Sequence, residues 1–238
     1  MHKLILSASL ALAFGAQAGT ISVQDTRLNK TVQVPATEYL QTTPSPTIIL
    51  GHGCDGPDTI KFFVSTVQSW GYNVVITDSF SGRGAFETCG KPWINRFQRK
   101  MDIEATAEWI MTQPWHKGKI GYMGFSHGGA GGTEYSNDPG NKLVSAVVAY
   151  YPWCKVTNFS AKVPTQIHVG SKDDWTGEEC NSNSMQGADV RVYPGVYHSF
   201  IYPKGYRTYL GHTLAYDEQA DRLAKEASRE FFKQYLKD

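Results

Sequence analysis

The sequence predicts an α/β fold, a mostly parallel sheet with helices on both faces and no inserted cap domain, from three observations. Short apolar runs suited to buried strands recur along the chain. Segments with helical apolar spacing lie between them, and a glycine-flanked serine sits where one strand hands over to a helix. Such alternation of strand and helix favours parallel strands buried on both faces.

Taken in order, Thr20 to Val23 and Thr31 to Val34, split by a polar Asp-Thr-Arg-Leu-Asn segment, read as an edge hairpin. Thr47-Ile48-Ile49-Leu50, bounded by Pro46 and Gly51, is the first central strand. Ile60, Phe63, Val64 and Val67 recur at i, i+3, i+4 and i+7, and Gly71 follows, so residues 58–70 are expected to be helical. Tyr72 to Thr77 is the next buried strand. Ser79 to about Asn95 has four breakers (Gly82, Gly84, Gly90, Pro92) and no period, which suits a long loop walling a pocket. Ile103, Ala107, Ile110 and Met111 mark a helix ended by Pro114. Strands follow at Lys119 to Phe125, Leu143 to Tyr150, Thr165 to Val169 and Val190 to Tyr193, and Ala220, Leu223, Ala224, Ala227 and Phe231 form one face of a terminal helix.

Residues 1–18 differ from the rest. Lys3 precedes an apolar run from Leu4 to Phe14, and Ala16-Gln17-Ala18 ends in small residues, the pattern of a secretory signal peptide. The run is too short to serve as a membrane span, which takes roughly 20 residues. The chain carries 23 Lys and Arg against 22 Asp and Glu, and removal of Lys3 with the leader leaves 22 of each. A neutral mature chain, residues 19–238, has no electrostatic attraction for nucleic acid. Its size suits a single domain. The leader places it outside the cytoplasm, secreted or periplasmic.

All four cysteines, Cys54, Cys89, Cys154 and Cys180, lie in that mature part, where disulfides are favoured. Neither C-x-x-C nor H-x-x-x-H spacing occurs, so no zinc site is expected. Of the three possible pairings we expect Cys154 with Cys180 and Cys54 with Cys89, because each pair lies on loops past the ends of strands expected to be neighbours.

Gly124-Phe125-Ser126-His127-Gly128 fits G-x-S-x-G between a strand and a glycine-rich stretch leading into a helix. A serine on so tight a turn needs small residues two positions either side. The turn lifts its hydroxyl above the sheet and aims the His127 N–H at the same space, half of an oxyanion hole. A serine hydroxyl is a weak nucleophile without a base, and the base needs an orienting acid. Asp173 lies on the loop after the strand ending at Gly170, and His198 on the loop after the strand ending at Tyr193. The order Ser126, Asp173, His198, each just past a different strand end, is the order of the α/β-hydrolases. His127 adjoins the serine, His168 lies mid-strand, and His116 and His212 have no matching acid loop, so none of these is expected to be the base.

Gly51-His52-Gly53-Cys54-Asp55-Gly56, Asp78-Ser79-Phe80-Ser81-Gly82-Arg83-Gly84, the Ser126 turn, Gly170-Ser171-Lys172-Asp173-Asp174-Trp175-Thr176 and Tyr197-His198-Ser199-Phe200 resemble the dienelactone hydrolase family over most of residues 46–236. The resemblance implies an α/β-hydrolase sheet, the triad at Ser126, Asp173 and His198, and an oxyanion hole from the backbone N–H groups of His127 and Cys54. The family's namesake enzymes use a cysteine nucleophile, so Ser126 argues against dienelactone itself as substrate. Arg83 falls near the position of an arginine that binds substrate carboxylate in those enzymes, shifted by about a residue. It is therefore a candidate substrate contact, and a loop-bracing role is the alternative.

About 15 residues separate the strands ending at Tyr150 and starting at Thr165, too few for a cap domain. Trp153, Trp175 and Tyr151 flank the relevant strand ends as candidate pocket walls, unless they only pack loops. Together these features point to a serine hydrolase acting on small-molecule esters through an acyl-enzyme, without metal or organic cofactor. A prolyl-oligopeptidase-like peptidase would normally carry an extra gating domain, and an inactive binding protein on the same fold would have no need of a complete triad.

Overall fold

The computed structural model describes residues 17–91, 93–141, 143–177, 179–181 and 183–237. Nearly all of the signal-peptide segment lies outside these residues; Gln17 and Ala18 open the first strand. An antiparallel hairpin, β1 (Gln17–Asp25) and β2 (Lys30–Tyr39), forms one edge of the sheet. The strands β3 (Ser45–Gly51), β4 (Asn73–Thr77), β5 (His116–Phe125), β6 (Val144–Tyr150), β7 (Ser160–Gly170) and β8 (Gln186–Tyr193) run parallel to one another. The eight strands are ordered β1-β2-β4-β3-β5-β6-β7-β8, with β2 antiparallel to β4.

The continuous apolar runs follow from burial on both faces. In β3 and β4, Ile48, Leu50, Val74 and Ile76 pack with Phe63, Val67 and Phe232. These last three come from the Pro57–Phe63 3₁₀ turn, α1 (Val64–Ser69) and α4 (Glu218–Leu236). Ile49 and Val75 point the other way, onto Ile103, Ala107 and Ile110 of α2 (Arg96–Met111) and Tyr135 of α3 (His127–Asn137). The alternation of side chains along a strand thus sends consecutive apolar residues into two cores.

The helix expected over residues 58–70 is wound as 3₁₀ through Phe63 and becomes α only at Val64, after Gly56 (φ 95°) and Pro57 set a tight entry. Helix α2 begins at a capping box, in which Asn95 Oδ1 accepts from the Gln98 N–H and Gln98 Oε1 accepts from the Asn95 N–H. A second, two-stranded sheet pairs β9 (Arg207–Tyr209) with β10 (His212–Leu214), strands too short to carry an apolar pattern. Its turn residues Leu210 and Gly211 have φ of 52° and 86°. No separate cap domain is present among the described residues.

His168, central in β7, is wholly buried. Its Nδ1 lies 2.8 Å from Tyr193 Oη and its Nε2 2.9 Å from Gln166 Oε1. A carboxamide oxygen only accepts, so the proton sits on Nε2 and the tyrosine hydroxyl donates to Nδ1. Burial, aided by Arg191, pushes its pKa down to about 3. The unfolded chain therefore takes up a proton as pH falls through about 6.5 while the fold does not. The stability from neutral His168 is present above that value and is lost below it. Two pH units lower, the loss is roughly 2–3 kcal/mol. Denaturation midpoints should fall from pH 7 to pH 4.5, and His168→Gln should flatten the slope; an equal slope in both proteins would remove His168 as the cause.

Candidate active site

The Ser126 turn shows why glycines flank it. Ser126 has φ 49° and ψ −111° at the start of α3, a conformation stored at cost in a non-glycine residue. A Cβ on Gly124 would stand 2.5 Å from the Gly128 carbonyl oxygen, and one on Gly128 would stand 2.2 Å from that of Gly51. The turn is held by Ser126 N–H donating to the Tyr150 carbonyl at 2.9 Å and by Ala130 N–H donating to that of Ser126 at 2.9 Å.

The structure brings the three sequence-predicted groups together. Ser126 Oγ is 3.2 Å from His198 Nε2, and His198 Nδ1 is 2.8 Å from Asp173 Oδ2. Asp173 Oδ1 accepts from the N–H groups of Trp175 and Thr176 at 3.1 and 3.0 Å. Burial alone would raise the Asp173 pKa, but the facing His198 and these N–H donors hold it below the ordinary carboxylate value. With an ionised acceptor opposite, Nδ1 carries the imidazole proton and Nε2 is left to face the serine.

The rings of Tyr151 and Trp175 lie 4.8 and 5.1 Å from the His198 ring and restrict its rotation. Thr176 Oγ1 is 3.0 Å from Asp173 Oδ2, 3.2 Å from His198 Nδ1 and 3.0 Å from the Tyr151 carbonyl. Sequence reasoning gave Thr176 no role; its one legible signal is its place three residues after the acid, where an aspartate commonly caps following N–H groups. The loop carrying His198 is tied to β10 by a bridge to Leu214 and by Ala215 N–H donating to its carbonyl.

Two disulfides join Cys54 to Cys89 and Cys154 to Cys180, the pairing expected from the strand order. Cys54 and Cys89 line two cavities that meet at Ser126. The smaller, about 280 Å³, contains His198, Tyr151 and Leu214, with Lys204, Arg207 and Asp55 as charged residues. The larger, about 480 Å³, contains His127, Ala130 and Trp153, and Trp175 borders both. Cys54 thus stands beside Ser126, and His127 occupies the first position of α3, where backbone N–H groups have no intrahelical acceptor. Strands β9 and β10 contribute Arg207, Tyr209 and Leu214 to the smaller cavity, a wall that no sequence motif marks.

Behind Cys54, His52 is fully buried. Its Nδ1 lies 2.7 Å from the Gly53 carbonyl, and its Nε2 accepts from Arg99 Nη1 at 2.9 Å. Arg99 Nη2 also donates to the His52 carbonyl at 2.8 Å. Burial first, and the Arg99 charge second, hold the His52 pKa well below the ordinary value. A neutral His52 therefore fixes this turn.

Arg83 does not line either cavity, which corrects its reading as a substrate contact. Its Nε is 2.7 Å from Asp25 Oδ2, its Nη1 and Nη2 form a fork with Asp102 at 2.9 and 2.8 Å, and Nη1 also donates to the Ser79 carbonyl at 2.8 Å. All three charged side chains are at most 2% exposed. The guanidinium braces the 79–95 loop against β1 and α2. Arg83→Met should leave two buried carboxylates unpaired, a loss of about 3–5 kcal/mol. In a domain of this size that lowers Tm by roughly 10 °C. An unchanged Tm with a raised KM would restore the substrate-contact role.

No curated protein sequence matches the chain. Solved structures do. A dienelactone hydrolase from Anabaena variabilis is 17% identical, with a TM-score of 0.67 over 93% of this chain and 99% of that one. A dienelactone hydrolase-like promiscuous phosphotriesterase from metagenomic libraries is 16% identical, with a TM-score of 0.72 over 93% and 99%. A Pyrococcus furiosus esterase is 17% identical, with a TM-score of 0.65 over 99% of both chains. At these identities the likeness establishes the α/β-hydrolase fold. The family model for the dienelactone hydrolase family matches residues 35–236, most of the chain, and the protein therefore belongs to the dienelactone hydrolase family.

Proposed function

We propose that the protein is an exported serine hydrolase that cleaves carboxylic esters through an acyl-enzyme. The observation that carries this reading is the hydrogen-bonded series Ser126, His198, Asp173 at the wall of a cavity. Ser126 Oγ attacks the ester carbonyl while His198 Nε2 takes its proton, and Asp173 holds the imidazole and stabilises its charged form. The oxygen that gains charge is placed for the His127 and Cys54 N–H groups. The tetrahedral intermediate collapses as His198 returns the proton to the leaving alcohol. A water, deprotonated by His198, then attacks the acyl-enzyme and releases the carboxylic acid and free Ser126. Every proton taken up is returned within one cycle, so the scheme needs no cofactor.

Two disulfides support residence in an oxidising compartment, secreted or periplasmic. Among the described residues no helix is long and apolar enough to cross a membrane. Reaction with a fluorophosphonate, followed by peptide mapping, tests the nucleophile, and a panel of esters run beside short peptides tests the reaction. The expected result is one phosphonyl group, on Ser126, with esters turned over and peptides not. Absence of the label would favour a binding protein, and faster peptide cleavage a peptidase.

A further inference from the structure

The two cavities at Ser126 are not equivalent. They share Cys54, Cys89, Ser126 and Trp175, and only the smaller contains His198. If the ester-hydrolase reading holds, this asymmetry orients the substrate. Around the tetrahedral carbon, one bond goes to Ser126 Oγ, the oxyanion faces the His127 and Cys54 N–H groups, and the leaving oxygen must come within hydrogen-bond reach of His198 Nε2 to receive its proton. The alcohol half then occupies the cavity that contains His198. The remaining substituent, the acyl group, points away from the imidazole, past the Cys54–Cys89 bridge and into the larger cleft.

The larger cleft offers mainly flat apolar surface. Phe97 and Trp153 are 49% and 47% exposed, large aromatic faces that gain by being covered. Their setting is firm: the Arg96 guanidinium carbon is 5.2 Å from each ring centre. Arg96 is itself anchored by Glu134 at 2.9 Å and by the Lys155 carbonyl at 2.9 Å. Because Glu134 neutralises it, Arg96 braces the rings without forming an anion site. Ile94 and Ala130 complete the apolar lining. At about 30 Å³ per heavy atom, a water's share of liquid volume, a cleft of about 480 Å³ holds an acyl group of ten or more non-hydrogen atoms.

We propose that this cleft is the acyl site and that the preferred substrates are esters of bulky acids bearing an aromatic ring, with the alcohol seated beside His198. The proposal rests on the ester-hydrolase reading, and its test separates the two.

p-Nitrophenyl acetate, hexanoate and 3-phenylpropanoate vary the acyl group at a constant leaving group, and methyl, butyl and benzyl 3-phenylpropanoate vary the alcohol at a constant acid. The wild type should show kcat/KM at least tenfold higher for p-nitrophenyl 3-phenylpropanoate than for the acetate. Trp153→Ala should lower that ratio ten- to hundredfold, and Phe97→Ala should lower it in the same direction. Both side chains are half-exposed, so the variants should fold. Leu214→Ala, in the smaller cavity, should shift the alcohol series and leave the acyl ratio in place. An acyl ratio that stays within twofold in both aromatic variants, or an alcohol series that responds to Trp153→Ala in its place, would overturn the assignment. A wild type that prefers hexanoate would overturn the aromatic preference. If no ester is turned over and Ser126 takes no phosphonate label, the hydrolase reading itself fails and carries the acyl site with it.

Discussion

Ser126→Ala should lower ester kcat by about 10⁴- to 10⁶-fold and leave a residue of roughly 10³–10⁴ over the uncatalysed reaction, since the oxyanion donors and the cavity remain. The loss is this large because the scheme has no second nucleophile. His198 Nε2 faces Ser126 Oγ at 3.2 Å, and without that oxygen it has only water to activate, unguided by the strained turn. Alanine keeps the Cβ, and the positive φ is no more costly for it than for serine, so Tm should move little. Single-turnover and steady-state assays beside a melting curve check this. Turnover within tenfold of the wild type would show that Ser126 is not the nucleophile.

Much of this site was legible in the sequence because each of its parts obeys a local rule. A two-residue spacing of glycines around a serine marks a turn into which no Cβ fits. An acid three residues past a strand-closing glycine and a histidine past the next strand place their side chains at one end of a parallel sheet, whatever the details of the loops. The cysteine pairing followed from the same strand order. What stayed hidden depends on contacts between distant segments. Arg83 reads alike as a substrate ligand or a brace; only the approach of Asp25, 58 positions away, and Asp102 decides between them. The β9–β10 hairpin is three residues per strand with no apolar alternation, so neither periodicity nor propensity marks it. Its position over the smaller cavity comes from the bridge between Leu214 and His198. The 3₁₀ start of the segment before α1 also escapes an apolar pattern that fits either winding.

The neighbouring carboxylates Asp173 and Asp174 should respond to the same substitution very differently. Asp173 is buried and bonds His198 Nδ1, while the Asp174 side chain is about half-exposed and turns to the hairpin, where its carboxylate accepts from the Thr213 N–H at 3.2 Å. In Asp173→Asn the amide oxygen can still accept from Trp175 and Thr176, so the loop keeps its shape and Tm should fall little. The amide nitrogen then faces Nδ1 as a donor, which favours the tautomer protonated on Nε2, and that nitrogen can no longer take the serine proton. The corresponding change in a serine protease costs about 10⁴ in kcat, and a loss of 10³- to 10⁴-fold is expected here. Asp174→Asn retains an acceptor for Thr213 and should cost tenfold or less. Comparing kcat for both variants at saturating substrate, with melting temperatures as the folding control, distinguishes them. A crippled Asp174→Asn beside an active Asp173→Asn would mean that the acid is supplied one residue later and that the hydrogen bond between Asp173 and His198 is not the one used in turnover.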